Sequence, residues 1–156
     1  MGLFNSKTFR GGVHPFENKE LTEDLALEVM PDPKTVIISL SQHIGKQAKP
    51  TVKKGIEVNA GSVIAEPEGF VSIPIHSSVN GKVTNVHPEP NTSGFPKDSI
   101  IIQSVEGDGL EKYPPLNPVS VTPEEIKERV RLAGIVGQGG AAFPTFIKLS
   151  PPQDKK

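Results

Sequence analysis

At 156 residues the chain can hold one ordinary domain plus appendages, and its net charge of -1 implies no general attraction to nucleic acid or an anionic membrane. Cysteine is absent, which excludes disulfides, Cys-ligated zinc and iron–sulfur clusters within this segment, and no apolar run approaches the ~20 residues that span a bilayer. With 35% hydrophobic and 5% aromatic residues against 16 prolines and 15 glycines, the composition predicts short strands and many turns rather than a helical bundle.

Residues 1–34 read as an irregular, extended arm. Gly11-Gly12, His14-Pro15 and the Pro31-Asp32-Pro33 stretch break any periodicity. The first strand is expected over Thr35 to Leu40, a β-branched run with apolar Val36, Ile37, Ile38 and Leu40. Short β segments follow at Val52 to Val58 and Ser62 to Ala65, separated by Lys54-Gly55 and Ala60-Gly61 turns. Phe70 to Ile75 reads as another strand, and Asn80-Gly81 within Ser78 to Val86 is a hairpin signal. Residues 87–98 read as a Pro-, Asn- and Gly-rich loop, and Ser99 to Val105 closes the series. The whole predicts a compact β domain over 35–106.

Residues 107–121 read as a linker, kept extended by Pro114-Pro115 and Pro118. Thr122-Pro-Glu-Glu125 then starts a helix: Thr as N-cap, Pro at the first helical position, Glu three residues after the cap. Ile126, Val130 and Ala133 share one face, and Gly134 suits the C-terminal cap. One short amphipathic helix cannot bury its stripe alone, so it opens a second unit over 122–156. The run Gly137 to Thr145 puts three glycines within four positions, and Pro144 is expected to stop further coiling. No secondary element is expected after it, and the polar tail from Ser150 is expected to fray. Backbone N–H groups in such a loop form a concavity that suits anions such as phosphate.

His14, His43, His76 and His87 are too far apart for ready metal-ligand spacing, and His76 beside Ser77 and Ser78 lacks an identifiable orienting acid. No catalytic or metal-binding residue is therefore assigned.

Val52-Lys-Lys-Gly-Ile-Glu-Val-Asn-Ala-Gly-Ser-Val-Ile-Ala65, with Pro74 and Gly81-Lys-Val83, resembles the two half-motifs of biotinyl and lipoyl carrier domains. The resemblance implies a barrel-sandwich hybrid. The stretch where carriers bear their modified lysine is here Glu66-Pro-Glu-Gly-Phe-Val-Ser72, which has none, so a structural docking role is expected in place of carrier function.

The run Val136 to Leu149 resembles the flavin loop of the NADH-oxidising flavoprotein subunit of respiratory NADH dehydrogenases. That resemblance implies that Gly137, Gly139, Gly140 and Ala141 bring backbone close to FMN. Phe143 would pack nearby, and Lys148 would supply a cation for phosphate. Gln138, Ala142 and Phe146 replace the Arg, Gly and Gly of that family's pattern.

The chain as a whole resembles more closely the N-terminal part of the RnfC family, the C subunits of Rnf electron-transport complexes. The match rests on Gly11-Gly-Val-His-Pro-Phe-Glu-Asn-Lys19, Leu40-Ser-Gln-His-Ile-Gly45, Pro74-Ile-His-Ser-Ser78 and the glycine run. It implies a peripheral, NADH-facing subunit on the cytoplasmic side of a bacterial membrane. Its complex would couple electron transfer between ferredoxin and NAD to ion translocation, with other membrane subunits as partners. FMN and NAD(H) are implied for a longer parent, as are iron–sulfur clusters in a C-terminal part absent here. This chain reads as an N-terminal fragment in which the helix and Gly-rich loop open a truncated α/β flavin/NADH domain. It is expected to bind FMN weakly or not at all by itself. The alternative is a non-catalytic barrel-sandwich scaffold without cofactor.

Overall fold

The computed structural model describes residues 15–151. The readings of Gly11, Gly12 and His14, and of the tail from residue 152, lie outside the described residues. The described residues divide into two compact units, one ending at Asp32 and one beginning at Pro33. In the first, Asn18 enters the left-handed region at φ 53°, and a 3-10 turn follows at Lys19–Leu21. Beyond the turns that end near Leu25, the backbone to Asp32 has no regular partner among the described residues.

The second unit is mainly β. Its strands are β1 (Thr35–Ser39), β2 (Lys49–Pro50), β3 (Glu57–Val58), β4 (Val63–Glu66), β5 (Ile75–His76), β6 (Gly81–Glu89) and β7 (Lys97–Ser104). They form a four-stranded sheet, β1-β7-β6-β3, and a three-stranded sheet, β2-β4-β5, with every pairing antiparallel. Ile38, Val58, Val83, Ile100 and Ile102 from the first sheet meet Ile64, Ala65 and Ile75 from the second in one core, with Leu40 and Ala48. Small aliphatic side chains therefore fill the space between the sheets, as the low aromatic content requires. Register irregularities between Val83 and Asn85 in the long β6 and between Val63 and Ala65 in β4 bend these strands so that the sheets curl.

Three strand readings need correction. Asn80-Gly81 is not a two-residue hairpin, because β5 pairs with β4 whereas β6 pairs with β3 and β7. The dipeptide is the corner where the chain changes sheet. Asn80 Oδ1 accepts from the Ala60 N–H at 3.0 Å, and its Nδ2 donates to the Gly107 carbonyl at 2.8 Å. Phe70 to Pro74 is irregular, and only Ile75–His76 pairs. Residues 87–89 continue β6 and 97–98 begin β7, so the true hairpin loop is the shorter stretch 90–96.

After β7 the chain stays on the β domain as far as Tyr113. Leu110 bridges to Ala60, Glu111 N–H donates to the Ala60 carbonyl at 2.8 Å, and Ser62 Oγ donates to the Glu111 carboxylate at 2.5 Å. Helix α1 (Pro123–Leu132) follows, with the expected capping box: Glu125 N–H donates to Thr122 Oγ1, and Thr122 N–H to the Glu125 carboxylate. It ends in a Schellman motif. Gly134 N–H reaches the Arg131 carbonyl at 3.1 Å and Ile135 N–H the Val130 carbonyl at 3.3 Å, with Gly134 at φ 66°. A one-turn helix, α2 (Thr145–Lys148), follows the glycine run, where the sequence predicts no further element. Pro144 does not stop coiling there but stands at the N-cap of that turn, which needs no N–H from it.

Candidate functional site

The glycine run is a closed loop. Val136 and Pro144 form an antiparallel bridge, and Gly137 N–H donates to the Phe143 carbonyl at 2.9 Å. Thr145 N–H donates to the Ile135 carbonyl at 3.0 Å, and Pro144 is fully buried beneath the loop. At the tip, Ala142 N–H turns back to the Gly139 carbonyl at 3.0 Å.

The residues singled out in the sequence divide into three groups. Gly137, Phe143 and Lys148 come together: Lys148 Nζ lies 6.0 Å from the Phe143 ring centroid, and a Cβ on Gly137 would stand 2.5 Å from that ammonium. Gly139 and Gly140 occupy the exposed tip. Ala141 is tied to the β domain, its carbonyl accepting from the Ile44 N–H at 3.0 Å.

Gly139 and Gly140 carry the most information about a ligand. Neither has a positive φ, and a Cβ on either would meet nothing within 4 Å. Nothing in the described chain requires glycine at these two positions. The N–H groups of Gln138, Gly139, Gly140 and Ala141 donate to no described residue, and all four residues are exposed. A Cβ-free surface with successive N–H groups that bond no described residue suits an anion such as a phosphate, while the Lys148 ammonium, on α2, stands beside Gly137 at the base of the loop. The left-handed backbone that glycine usually provides falls instead on Ala142, at φ 43°.

Sequence reasoning named the Leu40 to Gly45 motif but gave its residues no role. In the structure it is the bracket for the glycine loop. His43 is buried and spans two backbone groups: Nδ1 lies 2.9 Å from the Ile44 carbonyl, and Nε2 accepts from the Ile73 N–H at 3.3 Å. A carbonyl only accepts and an N–H only donates, so these partners select the neutral Nδ1–H tautomer. Gly45, at φ 101°, packs where a Cβ would overlap Val71. Together they hold Ile44 in place to bond Ala141. A second bracket is aromatic. Phe70, in the stretch where carriers place their lysine, meets Phe146 edge to face at 6.4 Å. The signal for both was present in the motif and in the two phenylalanines, but their pairing is long-range.

A third contact fixes the end of α1. Gly134 packs against the Pro74 carbonyl and the His76 ring, and Tyr113 Oη donates to the Leu132 carbonyl at 3.0 Å. Tyr113 also meets His76 edge to face at 6.4 Å and lies under the Arg129 guanidinium at 5.2 Å. Burial holds the His76 imidazole below its ordinary value, opposed in part by the Leu132 carbonyl. A cavity of about 460 Å³, lined by Asn59, Asn80, Lys82 and Glu106 among others, includes no residue of the glycine run. Among the described residues no group of three or more His, Asp or Glu is placed to hold a metal ion, and no helix is long and apolar enough to cross a membrane.

Residues 7–107 match the family model of the RnfC barrel sandwich hybrid domain. The chain is 45% identical over 154 residues to the C subunit of the Na(+)-translocating ferredoxin:NAD(+) oxidoreductase complex of Acetobacterium woodii, covering 96% of this chain and 34% of that protein. It is 42% identical to the C subunit of the proton-translocating ferredoxin:NAD(+) oxidoreductase complex of Clostridium ljungdahlii, covering 96% and 33%. To the C subunit of the ion-translocating oxidoreductase complex of Pseudomonas aeruginosa it is 40% identical, covering 91% and 19%. The chain thus spans about a third or less of the length of these relatives. The sheet pairing, the carrier-like half-motifs and the matched span agree: the chain belongs to the RnfC barrel sandwich hybrid domain family.

Proposed function

We propose that this chain is the N-terminal part of the C subunit of an ion-translocating ferredoxin:NAD oxidoreductase complex, and that its glycine loop is one wall of an FMN/NADH site. The barrel-sandwich domain, 35–106, carries the stretch 107–121 and presents the start of the flavin/NADH domain, 122–156. The remaining walls of the site come from a longer parent protein, which also supplies the iron–sulfur clusters. The coupled ion stays at the level of "ion", because one relative is named for sodium and another for protons. The subunit is peripheral, on the cytoplasmic side of the membrane, with the other proteins of the complex as partners.

The observation that carries this reading is the tip of the loop: Gly139 and Gly140 leave open space that nothing in the described chain uses. Gly137, Gly139, Gly140 and Ala141 would offer backbone to FMN, Phe143 would pack beside it, and Lys148 would face its phosphate. Bound FMN would supply hydride and single-electron chemistry. These residues would supply only position and charge. One loop is a small part of an enclosing pocket, so this chain alone binds FMN weakly or not at all.

The test is FMN fluorescence quenching by the full-length parent and by this chain. The parent should quench saturably, and Gly139→Val should weaken that binding at least tenfold. The present chain should quench little at high micromolar concentration. Unchanged FMN affinity in the Gly139→Val parent would remove the loop from the site. A second reading, a scaffold without cofactor, is favoured by the way Glu111, Tyr113 and Gly134 rest on the β domain. It is supported if the parent binds no FMN.

A further inference from the structure

The segment Leu25–Met30 is exposed and, after the bend at Leu25, forms neither helix nor strand. Leu25, Leu27 and Val29 stand at every second position, the spacing that would put them on one face of a strand, and Leu27 and Val29 are 102% and 97% exposed. Met30 is also open to solvent. From Ala26 to Asp32 no backbone N–H or carbonyl bonds a described residue. Large exposed apolar side chains at alternate positions, and peptide groups that bond no described residue, are what a strand brings to a sheet edge. Pro31 ends the run of donors, since it brings no N–H.

Charge narrows what could receive it. Between Glu17 and Asp32 stand six carboxylates and one lysine, while the whole chain carries only -1. Lys19 is already engaged by Glu17 at 2.5 Å. Such a segment is repelled by anionic lipid and attracted by a surface rich in lysine and arginine.

We infer that Leu25–Met30 is a docking strand that adds to the edge of a β-sheet in another protein of the same complex, at an edge flanked by basic side chains. Main-chain bonds supply affinity, alternate pockets take Leu25, Leu27 and Val29, and the flanking carboxylates set orientation and approach. The inference rests on the reading of the full protein as one member of a multi-protein complex.

The experiment uses the full-length protein, alone and in the purified complex, with hydrogen exchange read at the amides of residues 26–30. Exchange should be fast in the free protein and slow at least tenfold on assembly. Leu27→Ser with Val29→Ser should lower retention in the complex about tenfold and leave the thermal unfolding of the free protein unchanged. Glu28→Lys should weaken retention most at low salt. Bound protein with unprotected amides overturns this inference alone. Protection already present in the free protein also overturns it, in favour of pairing within the chain or, where protection rises with concentration, with a second copy. Absence of the protein from the purified complex sinks the functional reading and this inference with it.

Discussion

His76 lies between the β domain and the C-terminal end of α1, and its Nε2 is buried without a partner among the described residues. Desolvation keeps the imidazole neutral to lower pH than in the unfolded chain, where its value is near 6.5. Between the lowered folded value and 6.5 the unfolded state binds more protons, so stability rises with pH across that window. The contribution is complete above 6.5 and is lost as pH falls through the folded value. Urea midpoints followed through this window should fall on acidification, with a slope of at most about one proton. His76→Gln should flatten that slope. An identical slope in the variant would assign the effect to other groups. In the sequence His76 stood out as a neighbour of two serines and as part of the Pro74 to Ser78 motif, with no role given to it. Its role depends on Gly134 and Tyr113, which lie 58 and 37 positions further along the chain.

Helix α1 was the most legible element, because its signals are local. Thr122, Pro123 and Glu125 sit within one turn, and Gly134 sets the end. Thr122→Ala should cost about 1 kcal/mol, read as faster amide exchange through the first turns of α1. Glu125→Gln keeps an acceptor at the reaching position and should cost less. Equal exchange in Thr122→Ala and the unsubstituted chain would show that tertiary contacts alone hold the helix start. Strand limits were less legible, because pairing is non-local. The prolines and asparagines of 87–98 suggest a loop, yet Pro88 pairs with Asp98 in β6–β7. Near its end β6 has only β7 as neighbour, since β3 reaches only Gly81 and Lys82, so a missing N–H costs no bond on the open side. The Asn80-Gly81 signal failed for a related reason. The dipeptide does make a corner, but local chemistry cannot say that the strands it joins belong to different sheets.

At the scale of the second unit, the sequence showed the glycine loop as a motif but not what holds it. Ile44, Phe70, Pro74 and His76 all come from the β domain, and each meets a residue between Gly134 and Phe146, or Tyr113 beside them. Helix α1 buries no residue fully and has ten residues, fewer than the ~12–15 at which an isolated helix becomes even marginal in water. Its order therefore derives from the β domain on which it rests. Deleting residues 1–110 removes all four of these contacts and leaves α1 with α2, the Tyr113 contacts to Leu132 and Arg129, and the Arg129 hydrogen bond to the Pro114 carbonyl. The remnant should show the far-ultraviolet circular dichroism of an unfolded chain and no cooperative thermal transition. A folded remnant with a sharp transition would overturn the dependence. It would also mean that the glycine loop is ordered by its own helices, so that the β domain positions the loop without stabilising it.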